Sequence, residues 1–339
     1  MTNGQTPSPL RTGSVDLGDA DLNARVAEGM AAVEKLLARE LNRGEGFITE
    51  KVTHLAKAGG KRFRPLMTLL AAQYGDRPGG DTVIKAAAIV EIVHLATLYH
   101  DDVMDEAARR RGVDSANARW GNSIAILGGD VLLAHASRLM SELDTRTVRH
   151  FADTFEELVT GQMRETVGET DGLGPIDHYL RVITEKTGVL IASAGYLGAL
   201  HGGAEEEHID ALHKLGGVIG VIFQIVDDVI DIYSDAGESG KTPGTDLREG
   251  VFTLPVLYAL EEDGEVGEKL RGLLTGPLER DEDVAEALEL LARSTGRQRT
   301  MEVIERYLAL ADEQLARLPD GAATDALRML SRYTVSRVG

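Results

Sequence analysis

The chain carries one acidic pattern twice, Asp101-Asp102-Val103-Met104-Asp105 and Asp227-Asp228-Val229-Ile230-Asp231, 126 positions apart. Each copy closes an apolar stretch, Ala86 to Tyr99 and Val218 to Val226, that contains no Lys or Arg. At about 100° of rotation per helical residue, the first carboxylate of a set lies at 0°, the third at about 40° and the second at about 100°, so all three share one face. Acidic faces of solvated helices are usually interleaved with basic partners one turn away, and these are not. Two such helices facing each other would line a cleft with six carboxylates. In an apolar setting these groups repel one another and resist desolvation unless cations sit among them. Mg²⁺ favours oxygen ligands, taking one or two protein carboxylates together with water and substrate phosphates, so the pattern predicts a diphosphate or triphosphate substrate.

The net charge of −19 argues against a general nucleic-acid surface, because phosphate backbones are held by accumulated Lys and Arg. An anionic substrate must then meet local basic clusters. With no cysteine, disulfides and thiolate metal sites are excluded. No stretch approaches the ~20 uncharged apolar residues expected of a membrane span. Residues 1–18 read as a polar, disordered tail without a signal-peptide core, and 19–339 as one domain in a cytoplasmic protein.

Helical periodicity starts near Asp19 and continues to Tyr333 with short breaks. The expected helices lie at about 19–42, 46–58, 64–74, 81–106, 121–143, 146–168, 176–200, 205–234, 250–262, 281–295, 298–317 and 321–335. No alternating strand pattern stands out. The longest loops, around Gly112 to Gly121 and Asp235 to Gly250, follow the two acid motifs directly and read as candidate lids.

Three basic segments complement the acids. Gly59-Gly60-Lys61-Arg62-Phe63-Arg64-Pro65 combines freed backbone, cations and a proline suited to a first helical turn. Arg109-Arg110-Arg111-Gly112 lies just beyond the first acid set. Gly240-Lys241-Thr242-Pro243-Gly244-Thr245-Asp246 lies shortly after the second, and it lacks the P-loop pattern.

Together these segments resemble the trans-isoprenyl diphosphate synthases, the polyprenyl synthetase family. Asp101-Asp102-x-x-Asp105 with Arg110-Arg111-Gly112 resembles the family's first aspartate-rich motif, and Phe223-Gln224-x-x-Asp227-Asp228-x-x-Asp231 resembles the second. Gly60-Lys61-Arg62-x-Arg64-Pro65 is similar to the segment that holds isopentenyl diphosphate. Gly129-Asp130, Lys186-Thr187, Asp246 to Gly250 and Thr253-Leu254-Pro255 fall in the family's order, so the likeness covers roughly residues 25 to 335. It departs at Arg109, where the family is usually apolar, and at Thr245, where short-chain members often have a lysine.

The resemblance implies an all-α fold, a bundle of about ten or more helices around a central cavity, and a homodimer. It implies head-to-tail condensation of isopentenyl diphosphate with an allylic diphosphate, using three Mg²⁺ ions (Mn²⁺ as an alternative) held by Asp101, Asp102, Asp105, Asp227, Asp228 and Asp231. It places Arg110, Lys186 and Lys241 on the departing diphosphate, and Lys61, Arg64, His94 and Arg111 on the other substrate. Thr187 and Gln224 would face the allylic cation. Behind the first acid set, Thr97, Ala96, Val93, Ile92 and Ile89 contain no aromatic ring, and Ala96 stands where short-chain relatives often place a bulky floor. A long product of about C30–C50, delivered to a membrane, follows from one isoprene unit per helical turn. A shorter-chain farnesyl or geranylgeranyl diphosphate synthase and a class I terpene cyclase are the alternatives. The cyclase would lack both the second Asp-Asp-x-x-Asp set and the Lys61/Arg64 segment.

Overall fold

A computed structural model of the chain describes residues 16–170, 172–233 and 243–336. Among them the chain is all-α apart from one two-stranded hairpin. The order is α1 (Ala20–Leu41), α2 (Gly46–Val52), α3 (His54–Lys57), α4 (Phe63–Ala71), α5 (Asp81–Met104), β1 (Arg109–Arg110), β2 (Val113–Asp114), α6 (Ala116–Trp120), α7 (Asn122–Met140), α8 (Thr145–Val167) and α9 (Pro175–Ile183). There follow α10 (Val189–Gly202), α11 (Glu206–Tyr233), α12 (Thr245–Glu249), α13 (Leu254–Leu260), α14 (Glu265–Leu273), α15 (Asp281–Arg293), α16 (Gly296–Leu315) and α17 (Ala322–Val335). A short 3-10 turn extends α4 over Ala72–Tyr74, and a π-helical turn, Thr184–Gly188, joins α9 to α10.

The chain divides into two compact units, each assembled from three separate stretches. The first comprises Met1–Thr154, Leu190–Gly216 and Arg317–Leu327; the second comprises Phe155–Val189, Gly217–Ala316 and Arg328–Gly339. Neither is contiguous in sequence, so no shift of composition or linker marks them.

In the first unit α5 is the central helix, packed against α1, α4 and α7. Its apolar residues do not form a single stripe: Ala86 to Val93, Leu95, Ala96 and Tyr99 are all buried, which is the pattern of a helix covered on most of its circumference. α10 approaches α4 closely through Gly198, where an added Cβ would sit 2.1 Å from the Thr68 carbonyl oxygen. α5 and α7 are long and apolar enough, by length and composition alone, to cross a membrane, although both contain charged residues. However, 67% of the α5 window is buried and Glu91 and His94 interrupt it, as in a core helix. In the second unit the C-terminal part of α11 supplies Val221, Ile222, Ile225, Val226 and Val229 to a core completed by α9, α13 and α16.

Several local expectations need correction. The hairpin pairs Arg109 with Asp114 and Arg110 with Val113, so the three arginines lie on a tight turn between two short strands, where the sequence shows no strand pattern. The loop expected after it contains α6. The helix expected over 176–200 is interrupted by the π-turn, the helix expected over 46–58 is broken at Thr53, and α14 had not been foreseen.

Candidate active site

In the first unit α5 ends in Asp101, Asp102 and Asp105. The hairpin delivers Arg110 to this end, where its Nε donates to Asp102 Oδ1 at 2.6 Å, while a terminal nitrogen lies 3.9 Å from Asp105. Asp102 is shut off from solvent, and its Oδ2 is buried with no hydrogen-bond partner among the described residues. Burial raises the Asp102 pKa above the usual range, although Arg110 pulls against it. Asp101 is half-buried and Asp105 exposed.

About two and three turns back along α5 from Asp101 lie His94 and Glu91, which face the Gly59 to Arg64 segment. Gly60 is the pivot of that segment: a Cβ there would meet the guanidiniums of Arg111 and Arg62 at 3.0 Å each. Arg62 Nη1 donates to buried Glu91 at 2.9 Å, and its Nε donates to Glu34 at 2.5 Å. Arg111 Nη1 donates to the Leu55 and Gly59 carbonyls. Arg64 Nε is buried without a partner among the described residues, and desolvation lowers the guanidinium pKa to about 10 despite the attraction of Glu91. His94 is held well below the usual imidazole range by burial and by Arg64, Arg111 and Arg62, so it is neutral. Lys61 is exposed at the edge of this group. The non-glycine residues with left-handed φ among the described ones are Arg62, Glu106 and Arg111, all in or beside these segments. Such backbone costs on the order of 1 kcal/mol per residue and marks positions fixed by their surroundings.

In the second unit a hydrogen-bonded chain runs from the π-turn to the second acid set. Thr187 Oγ1 donates to Gln224 Oε1 at 3.2 Å, and Gln224 Nε2 donates to Asp228 Oδ1 at 2.9 Å, confirming that Gln224 shares the face of Asp228. The Tyr179 hydroxyl donates to Asp228 Oδ2. Burial moves the Asp228 carboxyl up to about 8, with Tyr179 and Gln224 opposing the rise and Asp246 and Asp227 adding to it. Asp231 is buried and accepts from the Asp246 N–H at 3.2 Å, whereas Asp227 is half-buried. Lys186 pairs with Glu165. Lys241 lies outside the described residues.

The structure thus gathers Asp102, Asp105 and Arg110 at one end of α5, groups Arg64, His94 and Arg111 further back, and links Thr187, Gln224 and Asp228. Ala96, Val93 and Ile92 are buried within α5, and Thr97 is half-buried with its hydroxyl donating to the His94 carbonyl. Sequence reasoning missed Glu91, Arg62 and Tyr179. Glu91 had a visible signal, as the only acidic residue within the apolar run from Ala86 to Tyr99. Tyr179 had none, because its partner is 49 positions away.

Hard carboxylate donors, one of them with an orphaned buried oxygen, suit a divalent cation such as Mg²⁺. Among the described residues no three His, Asp or Glu side chains converge into a ready-made cage. Mg²⁺ usually keeps waters and substrate phosphates in its shell and does not need one.

The chain matches the family model described as polyprenyl synthetase over residues 45–291. It is 53% identical to the nonaprenyl diphosphate synthase of Mycobacterium tuberculosis over 335 residues, covering 99% of this chain and all of that protein. It is 45% identical to the dimethylallyltranstransferase of the same organism, covering 95% of this chain and 98% of that one. A crystal structure of geranylgeranyl pyrophosphate synthase from Corynebacterium glutamicum, complexed with calcium and isoprenyl diphosphate, superposes with a TM-score of 0.87 at 62% identity, covering 95% of this chain and 99% of that one.

Glu91 is the internal counter-charge of Arg62, Arg64 and Arg111. Glu91→Leu removes it and leaves these cations poorly compensated in a buried setting. The expected loss is on the order of 3 kcal/mol of stability, read from the midpoint of urea unfolding. An unchanged midpoint would show that the cations do not depend on Glu91.

Proposed function

The chain belongs to the polyprenyl synthetase family, and from that premise we propose that it joins isopentenyl diphosphate head to tail onto an allylic diphosphate, giving a long-chain all-trans polyprenyl diphosphate of about C30–C50. The observation that carries the reading is the doubled Asp-Asp-x-x-Asp set, complete in both copies, with Asp102 keeping a buried oxygen donor unpartnered. Calcium with isoprenyl diphosphate in the C. glutamicum enzyme supports the use of a divalent cation. The proposed ions are three Mg²⁺, held by Asp101, Asp102 and Asp105 and by Asp227, Asp228 and Asp231. When bound, they neutralise charge on the departing diphosphate.

The chain's own residues do the rest by position and charge. Arg110, Lys186 and Lys241 stabilise the diphosphate as the allylic C–O bond breaks, with Lys186 turning away from Glu165 to reach it. Lys61, Arg64 and Arg111 hold the diphosphate of isopentenyl diphosphate, and neutral His94 offers a hydrogen bond without adding a fourth charge. The oxygen dipoles of Thr187 and Gln224 face the allylic cation. The double bond of isopentenyl diphosphate attacks that cation, a C–C bond forms, and the proton lost from the adjacent carbon passes to the released diphosphate. Enclosure by the apolar core keeps water from quenching the cation.

The protein is proposed to act in the cytoplasm as a homodimer, supplying its product to a membrane. Dimerisation is supported by α7, which exposes Ile124, Ile126 and Leu127 at 36%, 43% and 57% while Ala125, Leu132 and Ala136 are buried. Leu127→Glu places a charge on that face, and it is expected to weaken self-association at least ~10-fold in sedimentation velocity. Wild-type protein that sediments as a monomer would remove the assignment.

Asp101→Asn, Asp102→Asn and Asp227→Asn are each expected to lower kcat by at least ~10³-fold in an assay with labelled isopentenyl diphosphate. Chelator should silence the wild type and Mg²⁺ restore it. Near-normal turnover in saturating Mg²⁺ would refute the two-motif metal assignment.

Chain length rests on α5. Ala96 is 1% exposed and fully aliphatic neighbours Val93 and Ile92 lie behind it, with no ring to stop a growing chain. Ala96→Tyr is expected to shorten the product to about C15–C20 while the first condensation survives, since no aspartate is altered. The geranylgeranyl pyrophosphate synthase of C. glutamicum favours the shorter alternative, and a wild-type product that stops at C20 in chain-length analysis would establish it.

A further inference from the structure

The three consecutive arginines of the hairpin have three different destinations. Arg110 engages Asp102, and Arg111 turns to the Leu55 and Gly59 carbonyls. Arg109 does neither. It lines a cavity of about 530 Å³ in the first unit, together with His54, Lys57, Val113, Asp114 and Arg119.

This cavity is basic in a chain whose net charge is −19. Arg109, Lys57 and Arg119 face one carboxylate in the lining, Asp114, and a second, Glu50, lies 3.7 Å from Arg119 Nη2. Asp114 is the cross-strand partner of Arg109, yet among the described residues no ion pair within 4.0 Å joins them and none engages Lys57, so the positive charge of Lys57 and Arg109 is the part left over. Two of the basic groups are held in place by their neighbours. The Arg119 guanidinium lies 4.6 Å from the centroid of the Trp120 ring, and its Nη1 is 3.4 Å from His54 Nδ1. His54 Nε2 is 2.7 Å from the Asp114 carbonyl oxygen. A carbonyl only accepts, so Nε2 carries the proton and Nδ1 is the acceptor for Arg119. Arg109 Nη2 donates to the Gly112 carbonyl at 2.7 Å, which ties its side chain to the turn. Arginine forks fixed in this way lose little freedom on meeting a phosphate and can bind it through paired N–H donors.

We propose that this cavity is a second anion site that takes a diphosphate group, separate from the residues assigned to the two substrates. Two sources share that chemistry: inorganic diphosphate released by condensation, and the head group of isopentenyl diphosphate. The choice of diphosphate over other phosphate-bearing anions rests on the proposed function. The cavity and its charge do not.

The test is calorimetric titration of the full-length protein in EDTA, which removes metal-dependent binding, with inorganic diphosphate and isopentenyl diphosphate as separate titrants. The variants are Lys57→Ala/Arg109→Ala and, as a milder change on the exposed rim, Lys57→Gln. In the double variant at least one titrant is expected to lose about tenfold in affinity for one binding component, with a smaller loss for Lys57→Gln. Loss with inorganic diphosphate identifies the released product as a source, and loss with isopentenyl diphosphate identifies the substrate head group. The kcat/KM of condensation for isopentenyl diphosphate should stay within about twofold of wild type, because neither residue belongs to the assigned machinery. Unchanged affinity for both titrants in the folded double variant would overturn the proposal. Loss of the component in the double variant, together with a wild type that shows no condensation, would leave the anion site standing and refute the proposed function instead.

Discussion

The first unit depends on how charge is kept inside an apolar helix. α5 carries Glu91, His94 and Asp102 among residues that are otherwise almost wholly buried and apolar. Any ionised group there loses its hydration, and the loss is tolerable only where opposite charge or hydrogen bonds replace water. The replacement comes from two loops. The Gly59 to Arg64 segment brings Arg62 and Arg64 to Glu91, and the hairpin brings Arg110 to Asp102. Both loops carry left-handed non-glycine backbone, at Arg62 and Arg111, so the local strain sits where the cations must be aimed.

The compensation is incomplete in a way that favours ligand binding. Glu91 offers one negative charge to Arg62, Arg64 and Arg111, and the Asp102 carboxylate receives Arg110 on one oxygen only. One part of the unit therefore holds surplus positive charge with an unpartnered Arg64 Nε, and another holds an unpartnered carboxylate oxygen. The first suits an anionic group such as a diphosphate and the second a hard cation. A chain selected for stability alone would satisfy both groups internally.

Much of this was legible in the sequence, for a physical reason. The aspartate sets and Gln224 occur at fixed short spacings on helices, and helical geometry translates spacing directly into shared faces; the Gln224 to Asp228 hydrogen bond is the clearest instance. The all-α class follows from the same periodicity. Features that arise from contacts between distant stretches were not legible. The π-turn at Thr184–Gly188 adds a residue to a helix whose apolar period hardly changes, yet it alters the direction of Lys186 and Thr187. α14 was obscured by Gly267 and Gly272, which lower helix propensity, and it is held by the burial of Leu270 against neighbouring helices. The division into two units was invisible because each is built from three interleaved stretches.

The second aspartate set shows why a repeated motif need not mean repeated roles. Asp102 has one free oxygen, whereas both oxygens of Asp228 are engaged, by Tyr179 and Gln224. Burial pushes the Asp228 carboxyl up to about 8, against the two hydrogen bonds that it accepts. Asp227, one position earlier, is half-buried where Asp228 is buried, so it is the more accessible carboxyl of the pair. Asp228 is instead tied through Gln224 to Thr187, so a displacement of its carboxyl must break or stretch the Gln224 bond. The second aspartate set is thus linked to the π-turn through a single glutamine, whereas the first is anchored by Arg110.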